Sequence, residues 1–365
     1  MSRLAPLCAL ALTVLTPMAG NAETLARIGT VFERAKADVF AERYGNAYQR
    51  FQWLLLNDTK DAKRTKAYQT ALHRLKTKHP LSFGASAALM PSSNISKTFN
   101  GNETLRASTG DARPGVGLRF DAFAQATESY APGREVVARV GLGRSLFDDR
   151  RLNSQSTKFT LAHRWLTAGA TYGLAGFSNR TRFEPVDDIP TSDVDSHGAR
   201  FTLQRTFDNG HSFGGTARYE IYDYLNSSYL DGYKAQIQGS YSIPLSPAES
   251  LNVTAGIEQA DLTNDTYSYT SFTLGTRYTR SMASGLTWGL GATHSYRAYD
   301  DVFPLDDPIV RTDNVTDLSI SLSHRAIKIG DSIPRVSCTQ RRHGSNIYLY
   351  DYTSVDCSMQ LQFDF

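Results

Sequence analysis

From Val355 to the end of the chain every second residue is apolar: Val355, Cys357, Met359, Leu361, Phe363 and Phe365. The residues between them, Asp356, Ser358, Gln360, Gln362 and Asp364, are all polar. A β-strand places successive side chains on opposite faces, so this segment has one apolar face and one wet face. A soluble sheet can bury such a face, and so can a bilayer. How often the pattern returns, and how its repeats are joined, separates the two.

The pattern returns throughout the chain after Pro80. Period-2 segments fall at 81–91, 114–128, 134–147, 155–165, 168–178, 197–207, 211–224, 231–242, 250–261, 267–280, 285–298, 314–325, 332–341 and 353–365. In the eleventh, Leu286, Trp288, Leu290 and Ala292 oppose Thr287, Gly289, Gly291 and Thr293; in the twelfth, Leu318, Ile320 and Leu322 oppose three serines. Long connections at 92–113, 179–196, 299–313 and 342–352 follow odd segments, while even ones are followed mostly by short turns such as Asp208-Asn209-Gly210. Long loops on one side and short turns on the other are the layout of an outer-membrane barrel, which also satisfies every backbone amide in lipid. The predicted fold is therefore all-β: a 14-stranded antiparallel transmembrane barrel over 81–365, with both termini in the periplasm. Phe363 and Phe365 are expected to form its C-terminal assembly signal, read by the barrel-assembly machinery.

The other end of the chain agrees. Met1-Ser-Arg3, an apolar run Leu4–Leu15, and Gly20 and Ala22 before a candidate cleavage point read as a signal peptide over 1–22. The run is too short to span a bilayer as a helix, and Cys8 sits inside it rather than after it, unlike a lipidation site. Residues 23–80 then read as short periplasmic helices, with Tyr44, Tyr48, Phe51 and Leu55, and later Tyr68, Leu72 and Leu75, at helical spacing. Asn57-Asp58-Thr59 interrupts them and is expected to cap the next helix. Ala67–His73 has the texture of a tetratricopeptide-like repeat, yet the segment is too short for an independent repeat array. It reads as a remnant of such a domain. Abundant aromatics and glycine (19 Tyr, 18 Phe, 27 Gly) fit the barrel, and a net charge of +3 gives no reason to invoke nucleic acid.

If the apolar faces meet outer-membrane lipid, the polar faces line a lumen. Arg164, Arg200, Arg218, Arg277, Arg297 and Arg335 fall on that side, with Glu220 and Glu258. Two readings stand: ion pairs that brace the barrel, or a cationic path for an anionic solute or an unfolded polypeptide. Cys338 and Cys357 flank the last hairpin almost symmetrically and are placed to form a disulfide across it, with a Cα separation expected at about 5.5–6 Å. Two unpaired small apolar residues is the other reading. The histidines form no nucleophile–base constellation, no metal site or cofactor is indicated, and the chain does not read as an enzyme.

Two motifs go further. The first strand runs into Pro91-Ser92-Ser93-Asn94-Ile95-Ser96, and the last loop contains Ser345-Asn346-Ile347-Tyr348-Leu349-Tyr350. These resemble the P-x-S-N-I-N and S-N-I-P-L-Y motifs of the surface lipoprotein assembly modulator (Slam) family, with Ser96 in place of the second Asn and Tyr348 in place of Pro. The matching residues are Pro91, Ser93, Asn94 and Ile95, then Ser345, Asn346, Ile347, Leu349 and Tyr350. The resemblance implies an outer-membrane translocator that moves an exported client, a surface lipoprotein or a secreted haem- or iron-binding protein, across the outer membrane of a Gram-negative bacterium. Both motifs are expected at the extracellular rim, knitting loops where the first and last strands close; a lateral gate is the other reading. Family members usually carry a larger periplasmic repeat domain than 23–80. The competing reading is a passive pore or structural barrel without a dedicated client.

Overall fold

The computed structural model describes residues 21–59, 61–95, 97, 112–185, 193–303, 309–330 and 332–364. The predicted signal peptide lies outside the described residues except for its last two, as do Ser96 and Phe365.

Three helices come first: α1 (Asn21–Phe40), α2 (Tyr44–Asn57) and α3 (Ala62–Lys78). Their apolar faces form one small core in which Ala35, Phe51, Leu54, Leu55, Tyr68 and Leu72 are buried. Phe32, Phe51 and Tyr68 meet there with ring centroids 6.0–6.5 Å apart. The cap of α3 is not the expected Asn57-Asp58-Thr59 but Asp61, whose carboxylate accepts from the Lys63 and Arg64 amides at 2.8 and 3.1 Å. Asp58 is buried instead and accepts from the Tyr68 hydroxyl at 2.7 Å, so its carboxylate is spent on the core.

A second buried carboxylate joins α1 to α2. Asp38 is ion-paired with Arg43 at 2.7 Å and Arg50 at 2.5 Å. Burial pushes its carboxyl up, but the hydrogen bonds and charges of the two arginines outweigh that and hold its pKa below the ordinary value. A carboxylate lowered in the folded state contributes stability fully above its unfolded pKa and loses it as pH falls through the folded one. The packing of α1 on α2 is therefore expected to be insensitive to pH down to about 5 and to weaken only below about 4. Amide exchange protection in α1, corrected for intrinsic rates, measures this; loosening already near neutrality would contradict it.

At Leu81 the chain turns to strands: β1 (Leu81–Ser92), β2 (Gly115–Ala131), β3 (Arg134–Phe147), β4 (Ser154–Thr167), β5 (Ala170–Phe183), β6 (Val194–Thr206) and β7 (Ser212–Tyr224). There follow β8 (Gly232–Ser246), β9 (Glu249–Leu262), β10 (Tyr269–Ser281), β11 (Leu286–Phe303), β12 (Ile309–His324), β13 (Arg335–Ser345) and β14 (Tyr352–Asp364). Each pairs antiparallel with its neighbours, and β14 pairs with β1 to close the barrel. Large apolar side chains point outward in a band: Leu142, Ile237 and Leu274 are each about 60 % exposed on the bare barrel. Water does not tolerate so continuous an apolar belt, whereas a bilayer requires one. No helix among the described residues is long and apolar enough to cross a membrane; the strands do it.

The strands overrun their predicted ends at the long-loop rim. β5 continues to Phe183, β6 starts at Val194, β11 runs to Phe303, β12 starts at Ile309 and β13 reaches Ser345. These extensions carry charges such as Asp300, Asp301, Arg311 and Asp313. Above the bilayer both faces of a strand are wet, so the apolar half of the alternation disappears while the ladder continues.

Candidate functional site

The helices sit against the periplasmic mouth of the barrel. The core of the helical segment extends to Leu166 at the end of β4, and the Gly169 amide, in the β4–β5 turn, donates to the Leu55 carbonyl at 3.0 Å. Gly169 has φ +71°, a left-handed conformation that favours glycine in this tight turn. Gln69 donates to the Leu166 carbonyl, His73 bonds Ser129, and Thr59 donates to Asp208. The centre of the contact is a buried triad. The Tyr48 hydroxyl lies 2.8 Å from both Glu135 oxygens, and Arg164 reaches the hydroxyl at 2.5 Å and Glu135 at 2.6 Å. Glu135 is fully buried. Burial is the main force pushing the Tyr48 hydroxyl pKa up, so it stays a neutral hydrogen-bond partner. All these partners lie on β2–β4 and the turns up to β6–β7, on one side of the ring.

Above the cap, a lumenal cavity of about 600 Å³ is lined mainly by β1 to β4, with Gln360 and Gln362 of β14 and Arg200 of β6; Arg119, Arg139, Lys158 and Arg164 are also among its walls. The six arginines singled out from the sequence all lie on the inward register. Arg164 is bound in the triad and Arg218 is paired with Glu220, which also accepts from Ser196 at 2.7 Å and Tyr222 at 2.6 Å. Arg277 donates to Ser321, and Arg297 stacks over Tyr269 at 4.1 Å and donates to Tyr299. Arg200 and Arg335 make no ion pair among the described residues. The bracing and free readings thus divide between different arginines.

The first motif lies at the closing seam. Ser93 exchanges bonds with Val355 of β14, its amide donating to the carbonyl at 2.9 Å and its hydroxyl accepting from the amide at 2.7 Å. Asn94 is fully buried, and the Ile95 amide donates to the Arg113 carbonyl. Lys97 folds back onto Asp356, which also accepts from Ser92 at 2.5 Å. Pro91 has no amide hydrogen, and the β1–β14 ladder has no pairs between Leu89–Met359 and Ser92–Asp356.

The second motif is one hairpin away from that seam. Asn346 accepts from the Thr312 amide at 2.7 Å and donates to the Val310 carbonyl at 2.8 Å, which pins the β13–β14 loop to β12. The Ile347 amide donates to Ser345, and the Ile347 side chain is 1 % exposed. Leu349 is half-buried, and Arg311 stacks on the Tyr350 ring at 3.2 Å. Among the contacts described, the first motif touches the β1–β14 closure and the second braces the neighbouring rim.

Cys338 and Cys357 are opposed in register on the outer face and disulfide-bonded, with Cα atoms 4.0 Å apart. That is closer than the expected 5.5–6 Å and suits the narrow type of antiparallel pair. Cross-linking a segment of this length removes unfolded-chain freedom that destabilises by about 3 kcal/mol when restored. Reduction with a thiol is expected to lower the denaturant midpoint accordingly, and Cys357→Ser to match it; identical midpoints would contradict this. Phe363 pairs with Ala85 across the seam.

Residues 82–365 match the family model described as surface lipoprotein assembly modifier. The chain belongs to that family. The surface lipoprotein assembly modifier barrel is an outer-membrane protein of lipoprotein assembly and translocation and not an enzyme, and its helical segment faces the periplasm. It is expected to meet outer-membrane lipid and client lipoproteins. No match is found among curated proteins. Among solved structures the chain is similar to OmpF of Salmonella typhi bound to daunomycin, at 9 % identity and TM-score 0.46, covering 78 % of this chain and 97 % of that one. It is also similar to CdiB from Escherichia coli, at 10 % identity and TM-score 0.42, covering 78 % and 63 %. Among the described residues no cluster of metal-ligating side chains occurs.

Sequence reasoning missed Glu135, Asp356 and the rim cluster in which Asp313 holds Arg311 at 2.8 Å and His343 at 3.1 Å. Alternation places all three carboxylates on the inward side, but nothing local distinguishes them from solvated lumenal charges.

Proposed function

We propose that the client crosses as an unfolded polypeptide through the lumen, entering on the side of the mouth away from α2 and α3. The client is a surface lipoprotein or a related secreted haem- or iron-binding protein. One observation carries this reading: among the described residues the hydrogen bonds of the helical cap to the barrel fall on the β2–β7 side of the ring, above which lies a polar cavity walled by cations. A polypeptide in transit has unpaired amides and carbonyls, and a wet polar wall exchanges hydrogen bonds with it without trapping it. Residues 1–22 serve as the export signal, Phe363 and Phe365 as the address for the barrel-assembly machinery, and 23–80 as the reduced periplasmic domain. Arg200 and Arg335, which make neither an ion pair nor a side-chain hydrogen bond among the described residues, line the route, and the two Asn-Ile motifs keep the rim shut around it.

Protease shaving of intact cells with and without this chain, read by mass spectrometry, tests the proposal. One lipoprotein or secreted protein is expected to leave the surface and accumulate in the periplasm. An unchanged surface set with lower small-solute permeability would make the barrel a pore.

A further inference from the structure

A second cleft, also of about 600 Å³, lies at the same part of the wall and shares Ser86, Asp121, Gly143 and Ser156 with the lining of the lumenal cavity, while most of its side chains belong to the outward register. Two adjacent rows of outward side chains build it. In the lower row Phe363, Ala85, Ala122, Leu142, Thr157 and Arg180 are successive partners across β14, β1, β2, β3, β4 and β5. In the upper row Ala87, Phe120, Arg144, Gln155 and Arg182 are successive partners from β1 to β5. Ala85, Ala87 and Ala122 leave a depression between Phe363, Phe120 and Leu142, the last two 47 % and 59 % exposed.

The rows run perpendicular to tilted strands, so they climb the barrel wall. Their low end is Phe363, next to the periplasmic end of β14. Their high end is Arg180 and Arg182, within four residues of the extracellular end of β5. Six strands span about 24 Å at the usual spacing. The cleft is therefore apolar in the depth of the bilayer and basic at the level of the outer-leaflet headgroups.

Charge distinguishes the high end from an ordinary rim. Among the described residues Asp195 is ion-paired with both Arg180 at 3.3 Å and Arg182 at 2.7 Å. Glu184 is engaged by Arg150 and by Asn153 at 2.7 Å. Arg144, opposite Gln155 of β4, is exposed and makes no ion pair among the described residues, although its charge also acts on Glu184. A cationic side chain facing lipid is costly unless it meets an anion.

We propose that this cleft binds the phosphorylated, multiply acylated glycolipid of the outer leaflet. An acyl chain lies over Ala85, Ala87 and Ala122, and a sugar phosphate is held by Arg144 and Arg180 with Gln155 beside them. Arg144 on β3 and Arg180 on β5 flank β4, where Gln155 stands between them, and their guanidinium groups offer the donors that phosphate oxygens accept. The position has a structural consequence. The bound lipid bridges β14, β1 and the strands after it on the outside, across the closure that Ser93 and Lys97 secure at the rim.

Full-length protein in phosphatidylcholine nanodiscs is titrated with fluorescent bisphosphorylated lipid A. Saturable binding is expected, weakened about tenfold by Arg144→Ala with Arg180→Ala, as for loss of charge-assisted contacts. Ala122→Phe, which fills the depression and leaves the arginines, is expected to weaken it comparably, and Arg144→Lys, which keeps the charge and loses the fork, to weaken it less than the double alanine variant. Heat-modifiable migration on gels establishes that each variant is folded. Equal binding by the wild type and both disrupting variants overturns the proposal. So does equal competition by phosphatidylglycerol, which would make the occupant any anionic phospholipid. Preferential binding of a triacylated lipopeptide would assign the cleft to the client's lipid and overturn it too.

Discussion

Replacing Glu135 with alanine is expected to detach the helical segment from the barrel mouth. Glu135 is fully buried and receives Tyr48 and Arg164. Its removal leaves a guanidinium and a phenol facing each other without the charge that joins them. Breaking a buried pair on one side costs about 3–5 kcal/mol, because the remaining charge stays desolvated. Arg164 keeps 27 % of its side-chain exposure, which puts the expected cost at about 3 kcal/mol, the lower end of that range. The remaining ties, such as Gln69 to Leu166 and Gly169 to Leu55, are single neutral hydrogen bonds of about 1 kcal/mol each. Limited proteolysis between α2 and α3 is expected to accelerate strongly while the barrel stays heat-modifiable. Single-channel conductance is expected to rise as the mouth is uncovered. Glu135→Gln retains an acceptor and is expected to fall between. Unchanged protease protection in Glu135→Ala would mean that the apolar contact at Leu166 suffices alone.

The second large effect is expected at Ile347. This side chain is 1 % exposed beneath the short 3-10 turn Tyr348–Tyr350, in a loop otherwise held by polar contacts. Ile347→Ala leaves a cavity at a site with little freedom to collapse, and a loss of about 3 kcal/mol follows from comparable truncations. The Arg311–Tyr350 stacking and the Asn346 bonds to β12 depend on the same turn, so the rim loosens as a unit. Amide exchange is expected to speed up from Ser345 to Asp351 and at Thr312, but not in β3 or β4. Asn346→Ala is expected to produce a smaller version of the same pattern. Exchange confined to Ile347 itself would show that the polar pins hold the loop without it.

Much of the barrel is legible because membrane strands obey one rule, apolar outward and polar inward, for as long as they are in the bilayer. Fourteen strands, their order and the short turns follow from it. The rule stops where lipid stops, which is why Asp300–Phe303 and Arg311–Asp313 read as loop although the ladder runs through them. The cap was legible only as helices. Tyr48 fits the helical stripe with Phe51 and Leu55, and its period gives no sign that its hydroxyl leaves the helical core for a carboxylate 87 residues away. Asp61 lost to Asn57-Asp58-Thr59 as the expected cap because both sites carry cap residues, and the choice was made by Tyr68 drawing Asp58 inward. The Asn-Ile motifs were placed at the rim by their neighbours, but which strand each one grips is a matter of tertiary contact.

The bond between Cys338 and Cys357 also bears on the order in which the barrel is made. The two residues are 19 apart, so they meet early and often in an unfolded chain, and the periplasm is oxidising. Once that bond has formed, the terminal hairpin is a covalent ring with no freedom to slide in register. A slip of one residue would turn Val355 and Met359 into the lumen and Gln360 into lipid. Only one edge is then left to be matched, β14 against β1, and the missing amide of Pro91 removes a donor that a shifted pairing would need. The last strand is thus not the last thing to be decided: its partner on one side is settled chemically, and closure becomes a single recognition event between two ends of the same sheet.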